Sequence, residues 1–95
     1  MILEITQEAQ DDLFFANDWY ESRKTALGDE FLVQFKVACK AIHKSPEGFQ
    51  KVRGYHQVTL KRFPFFVVYQ LIENKIIVFA VFHTSKNPKN KYSFK

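Results

Sequence analysis

The sequence contains few of the residue types that would cross-link the chain or interrupt it, and no long apolar run. It has one cysteine, three glycines and three prolines in 95 residues. The single cysteine, Cys39, excludes an intramolecular disulfide, and no spacing of Cys and His indicates a zinc site. No apolar run approaches the roughly 20 residues that span a bilayer. Residues 1–5 also carry no basic segment of the kind that begins a signal peptide. From these absences we expect a cytoplasmic protein without membrane, metal or cofactor.

Acidic residues are almost absent from the second half of the chain. Residues 1–47 carry five Lys and Arg against nine Asp and Glu, which is a balance of −4. Residues 48–95 carry nine Lys and Arg against the single Glu73, which is a balance of +8. A field of this kind attracts nucleic acid or an acidic protein partner. The alternative is a basic surface that is only solvated.

Aromatic residues are abundant instead. Hydrophobic residues make up 46% of the chain and aromatic residues 17%, and eleven residues are Phe. A chain of this length buries only about 60–65% of its unfolded surface, so its core must be efficient. Large rings meet that need because each buries roughly 150–250 Å². We therefore predict one globular domain over residues 1–95.

The first half predicts a short strand followed by two helices. Residues 2–5 form an apolar run typical of a strand, and Thr6 can cap a helix that ends near residues 21–24. A second helix begins between residues 25 and 28 and ends before Pro46, since the residue before proline leaves the helical region. The apolar residues at helical spacing are Ala9, Leu13, Ala16 and Tyr20 in the first helix, and Phe31, Phe35, Ala38, Cys39 and Ile42 in the second. Further side chains are expected to widen the buried stripe of the first helix: Phe14, Phe15 and Trp19. A solvated face of the second helix is expected to carry Lys36, Lys40 and Lys44.

The second half predicts three strands, over residues 52–63, 65–72 and 76–82, which are dense in aromatic and β-branched residues. Pro64 marks a turn or bulge, and residues 73–75 form a tight hairpin. Residues 84–95 are polar and basic, and form either a flexible tail or a short docked segment. The order β-α-α-β-β-β predicts an α+β fold. A helical hairpin packs on one face of a mainly antiparallel sheet and leaves the other face free.

Three motifs resemble those of the RelE/ParE toxin superfamily, and together they span nearly the whole chain. They are Asp18-Trp19-Tyr20-Glu21, the turn Arg62-Phe63-Pro64-Phe65 before Val68-Tyr69, and His83-Thr84-Ser85-Lys86-Asn87-Pro88 after the last strand. The resemblance implies a growth-inhibiting toxin of a type II toxin–antitoxin module, neutralised by a cognate antitoxin that wraps it. RelE-like members cut mRNA in the ribosome, and ParE-like members poison DNA gyrase. Operator DNA would be reached only through the antitoxin.

The RelE-like alternative implies a metal-free ribonuclease. Such cleavage needs a base for the 2′-hydroxyl, cations for the phosphorane and an acid for the leaving oxygen. The candidates for these roles are Lys61, Arg62, Lys86 and Tyr92. Two positions depart from the ribonuclease pattern. Phe66 stands where active ribonucleases carry an arginine, three residues before Tyr69. Lys86 also stands where they carry an arginine, and a lysine ammonium cannot form the two parallel hydrogen bonds that an arginine guanidinium makes to a phosphate.

The ParE-like alternative is slightly preferred and implies a binding surface, so the chain would be an enzyme only if it is RelE-like. The candidate target-binding residues are Arg53, Lys61, Arg62, His83, Lys86, Lys89 and Lys91. His43 and His56 stand in no cluster of polar residues and are expected on the surface. A third hypothesis is an inactive module that only binds its antitoxin and helps to repress their shared promoter.

Overall fold

The structure, a computed structural model, describes residues 1–85. In this part of the chain the elements are β1 (Ile2–Ile5), α1 (Gln7–Arg23), α2 (Leu27–Lys44), β2 (Lys51–Val52), β3 (Tyr55–Thr59), β4 (Phe65–Ile72) and β5 (Lys75–His83). The strands form one sheet in the order β1-β5-β4-β3-β2. β1 and β5 are parallel, and the other neighbouring pairs are antiparallel. The predicted α+β fold with a helical hairpin on a mainly antiparallel sheet is confirmed.

The bounds of the predicted strand over residues 52–63 are wrong. That segment forms the two short strands β2 and β3, because the chain reverses at Arg53 and Gly54, whose φ angles are +53° and +85°. β3 ends at Thr59, and residues 60–64 connect it to β4. The predicted hairpin between β4 and β5 is confirmed. Its turn residues Glu73 and Asn74 have φ angles of +50° and +64°, as type I′ hairpin turns require.

The N-terminus of α1 has the predicted cap, and the N-terminus of α2 is capped in a way that the sequence did not predict. The Thr6 hydroxyl accepts a hydrogen bond from the Ala9 N–H at 3.1 Å and so caps α1. The N-terminus of α2 is capped from the other helix, since the Glu21 carboxylate accepts bonds from the Ala26 N–H at 2.8 Å and the Gly28 N–H at 3.0 Å. This contact holds the two helices as an antiparallel pair.

The main core lies between the helices and the sheet. Four rings at its centre, from Tyr20, Phe31, Phe63 and Phe65, pack with centroid separations of 4.9–6.0 Å. α1 meets the core through a narrow stripe with Ala9 and Ala16 buried and Tyr20 packed against the core, whereas Phe14, Phe15 and Trp19 face outward. The expectation that these widen the buried stripe is therefore wrong. Their exposed fractions are 65% for Phe14, 70% for Phe15 and 52% for Trp19.

The opposite face of the sheet carries a second, smaller apolar cluster. Val68, Ala80 and Phe82 are buried there, and Tyr55 and Phe66 pack against them. The expectation of a free second face is therefore wrong at the centre of the sheet. Of the histidines expected on the surface, His43 is exposed and His56 is buried, with its ring stacked on Tyr69. None of the helices in residues 1–85 is long and apolar enough to cross a membrane.

Candidate functional site

Three of the sequence-predicted site residues lie at one end of the sheet. His83 ends β5 and pairs with Phe65 at the start of β4. The Thr84 N–H donates to the Pro64 carbonyl at 2.8 Å, which holds the loop that contains Lys61 and Arg62 beside His83. Arg53 lies at the other end of β3, which is a five-residue strand about 17 Å long.

Arg62 is directed toward the helices. Its Nη1 donates to the Glu30 carboxylate on α2 at 3.1 Å, and both side chains are partly exposed. The φ angle of Arg62 is +70°, a left-handed conformation that turns the chain between β3 and β4. The positive charge of Arg62 is therefore compensated by the Glu30 carboxylate.

The ring of His83 is fixed by the turn that follows β5. The Ser85 N–H donates to its Nδ1 at 3.1 Å, and the Ser85 hydroxyl lies 2.8 Å from the same atom. Because Nδ1 accepts a backbone bond, the neutral imidazole carries its hydrogen on Nε2 and can only donate there. This geometry suits a binding or structural histidine better than a general base.

Phe66 lies on the sheet face that faces away from the helices. Its ring packs edge-on against Phe82 at a centroid distance of 5.7 Å, beside the buried Val68 and Ala80. An aromatic surface therefore stands at the position where the RelE-like alternative requires a cation for the phosphate.

Sequence reasoning missed an apolar groove between α1 and the end of β5. The groove has a volume of about 310 Å³, and its lining residues are Asp12, Phe15, Ala16, Phe65, Val81, Phe82 and His83. It forms because β1 pairs only with residues 75–78 of β5, so the end of β5 lies beside α1. Asp12 joins the two elements by accepting a bond from the Val81 N–H at 3.0 Å.

Two exposed aromatic residues continue from this groove along α1. Phe15 and Trp19 are one helical turn apart, and the Arg23 guanidinium lies 4.5 Å from the Trp19 ring centroid. The signal in the sequence was their spacing, since Phe15 and Trp19 share a face that differs from the face of Ala9 and Ala16.

Comparisons with known proteins agree with this architecture. The sequence profile of the ParE toxin of type II toxin–antitoxin systems (parDE) matches residues 3–88. The chain belongs to the ParE toxin family. A structure of the chromosomal ParDE toxin–antitoxin system from P. aeruginosa superposes with a TM-score of 0.77 at 20% identity, over 87% of this chain and 95% of that chain. A structure of the intact E. coli RelBE toxin–antitoxin complex gives a TM-score of 0.57 at 14% identity, over 90% of this chain and 98% of that chain. No curated protein sequence gives a significant match.

The remaining site residues predicted for this member of the ParE family lie outside the described residues: Lys86, Lys89, Lys91 and Tyr92. Within residues 1–85, the His, Cys, Asp and Glu side chains form no group that could hold a metal ion. The described part of the site is therefore an aromatic groove with polar and cationic groups at one end of the sheet.

Proposed function

We propose that this chain is the growth-arresting toxin of a type II toxin–antitoxin pair, and that it acts by binding DNA gyrase rather than by cutting mRNA. The observation that carries this proposal is the aromatic surface at Phe66, which packs with Phe82 where RNA cleavage needs positive charge. Membership of the ParE toxin family supports the same mode of action.

Two other described residues at this end of the sheet, the cleavage candidate Arg62 and the target-binding candidate His83, also favour binding. Arg62 is paired with Glu30 of α2, and Nδ1 of His83 already accepts a backbone hydrogen bond. Metal-free cleavage needs a proton acceptor and a proton donor on either side of one phosphate. Neither Arg62 nor His83 offers a free base on the face of Phe66.

The groove between α1 and β5 has the composition of a protein-binding surface. Exposed Phe15 and Trp19 can bury large rings against a partner, and aromatic residues of this kind dominate the binding energy of many interfaces. His83 lines the same groove, and the sequence continues from Ser85 into three lysines, Lys86, Lys89 and Lys91. The rings of the groove and the positive charge of the second half of the chain would both favour a target with an acidic surface.

The same proposal includes a cognate antitoxin that binds and neutralises the toxin. Both structural relatives are described as toxin–antitoxin assemblies. Contact with operator DNA would then be made through the antitoxin, and the toxin would take part in repression only within the complex.

Expression from a tightly controlled promoter tests the mode of action. We expect growth arrest within minutes, with DNA breaks and an SOS response, while the 5′ ends of mRNA stay unchanged. New 5′ ends inside translated reading frames would instead establish a ribonuclease. Normal growth with soluble protein would leave only the inactive, antitoxin-binding module.

The double substitution Phe15→Ala/Trp19→Ala tests the groove. Both side chains are mostly exposed, so the fold should persist while the arrest of growth is lost. Val33→Ala is the matched control, because Val33 is an exposed apolar residue (53%) on the other helix. Full arrest by the double variant would place the target surface elsewhere.

A further inference from the structure

A second cavity lies at the other end of the sheet, and the proposed function does not use it. It has a volume of about 530 Å³, within the usual range for small-molecule sites. The argument depends on five of its lining residues, which are Glu47, Phe49, Lys51, His56 and Leu71. They come from the α2–β2 connection, β2, β3 and β4.

The decisive group in this cavity is the imidazole of His56. The residue is only 6% exposed, and its ring stacks on Tyr69 at a centroid distance of 4.9 Å. Its Nδ1 lies 2.9 Å from the Phe49 carbonyl, so Nδ1–H donates and the neutral ring keeps a lone pair on Nε2. Within residues 1–85 no fully buried side-chain nitrogen lacks a hydrogen bond. Nε2, which has no hydrogen-bond partner among the described residues, is therefore not fully buried, and His56 lines the cavity.

The cavity contains other polar side chains besides the His56 imidazole. Glu47 contributes a carboxylate to the cavity. Gln70 follows Tyr69 on β4, so its side chain lies on the face of the sheet opposite His56, where its amide nitrogen donates to the Gly54 carbonyl at 3.2 Å. Lys51 is the cation of the cavity and lies directly opposite His56 in the β2–β3 pair. Neither Glu47 nor Lys51 forms an ion pair within the described residues.

We propose that this cavity binds a free α-amino acid with an apolar side chain. The ligand ammonium donates to His56 Nε2 and Glu47, and the ligand carboxylate binds Lys51. The apolar side chain packs on Phe49 and Leu71. A zwitterion matches a site with one anion and one cation, whereas a nucleotide would bring excess negative charge.

Three probes and two variants test the two ends of the site separately. The full-length ¹⁵N-labelled protein is titrated with L-phenylalanine, with phenethylamine, which lacks the carboxylate, and with 3-phenylpropionate, which lacks the ammonium. His56→Asn keeps an amide donor for the Phe49 carbonyl but removes Nε2. It should weaken L-phenylalanine and phenethylamine by about tenfold and leave 3-phenylpropionate unchanged.

Lys51→Gln should give the complementary result, with L-phenylalanine and 3-phenylpropionate weakened by about tenfold and phenethylamine unchanged. Lys36→Gln, on the exposed surface of α2, is the control and should bind all three probes normally. The absence of resonance shifts with millimolar L-phenylalanine would overturn the proposal, as would equal weakening of all three probes by either variant. If His56→Asn does not fold, the Lys51→Gln comparison decides alone. These titrations contain no gyrase, so their failure would leave the proposed function untouched.

Discussion

Tyr69 links the centre of the sheet to the chain segment between α2 and β2. Its ring is fully buried and stacked on His56, and its hydroxyl donates to the Pro46 carbonyl at 2.6 Å. Burial raises the pKa of Tyr69 to about 12 from its ordinary value of 10.0, because the phenolate would lose its solvation. The residue is thus a structural member of the core, and its ring supports the imidazole of His56 by stacking on it.

Tyr69→Phe tests this role through the pH dependence of stability. The folded protein holds the phenolic proton more tightly than the unfolded chain, so stability is fully present below about pH 10 and is lost as the pH rises toward 12. The variant should be about 1 kcal/mol less stable at pH 7, because the Pro46 carbonyl loses its donor. Urea unfolding of both proteins from pH 7 to 12 should show a steeper alkaline decline in the wild type. Parallel declines would contradict the assignment.

At the scale of elements, the helical hairpin depends on close approach at Gly28. A Cβ atom at this position would lie 2.7 Å from the Asn17 backbone oxygen and 2.3 Å from the Asn17 side-chain oxygen. The N–H of Gly28 also donates to Glu21, which caps α2. Only glycine lets α1 and α2 approach this closely while Glu21 keeps both of its bonds.

Gly28→Ala should therefore destabilise the protein even though alanine favours a helix by about 1 kcal/mol. We expect a net loss of about 1–3 kcal/mol in the free energy of unfolding, because a backbone oxygen cannot move aside without separating the helices. Gly48→Ala is the control, since the nearest atom there is the rotatable Ser45 hydroxyl. Equal or greater stability of Gly28→Ala would show that the hairpin tolerates a wider spacing.

The turn between β4 and β5 gives a second test at this scale. Glu73 has a φ angle of +50°, which costs an ordinary side chain about 1 kcal/mol, and Asn tolerates this conformation better. Glu73→Asn should raise the free energy of unfolding by about 0.5–1 kcal/mol, measured by urea denaturation. A destabilised variant would indicate that the Glu73 side chain makes a stabilising contact.

Local sequence patterns predicted the elements well because caps and periodicity act over a few residues. Boundaries of these elements are fixed locally, by the side-chain hydroxyl of Thr6, by the ring of Pro46 and by the positive φ angles of Glu73 and Asn74. Periodicity shows which residues share a face but not what covers that face. For this reason the sequence predicts Phe15 and Trp19 on the buried stripe, whereas α1 leaves them exposed.

The candidate site was less predictable because it depends on contacts between distant segments. The sequence identified the basic character of the second half, but not that Arg62 pairs with Glu30, 32 residues earlier in the chain. It also could not place His56 against Phe49 and Tyr69, since those contacts exist only when β2, β3 and β4 are assembled.

At the scale of the whole molecule, the sheet separates two sites of different character. One end carries the groove between α1 and β5 with its exposed rings, and the other end carries the His56 cavity with one acid and one base. The strand β4 runs from one to the other, because Phe65 at its start lines the groove and Leu71 near its end lines the cavity. Variants in one site should therefore leave binding at the other unchanged.

The most direct test of the central claim uses purified toxin, gyrase and supercoiled plasmid. We expect DNA cleavage that requires both gyrase and the toxin, that is lost with Phe15→Ala/Trp19→Ala, and that is retained with Val33→Ala. In parallel, translating ribosomes incubated with the toxin should keep their mRNA intact. Intact plasmid together with cut mRNA would contradict the account and show that the face around Phe66 supports RNA cleavage.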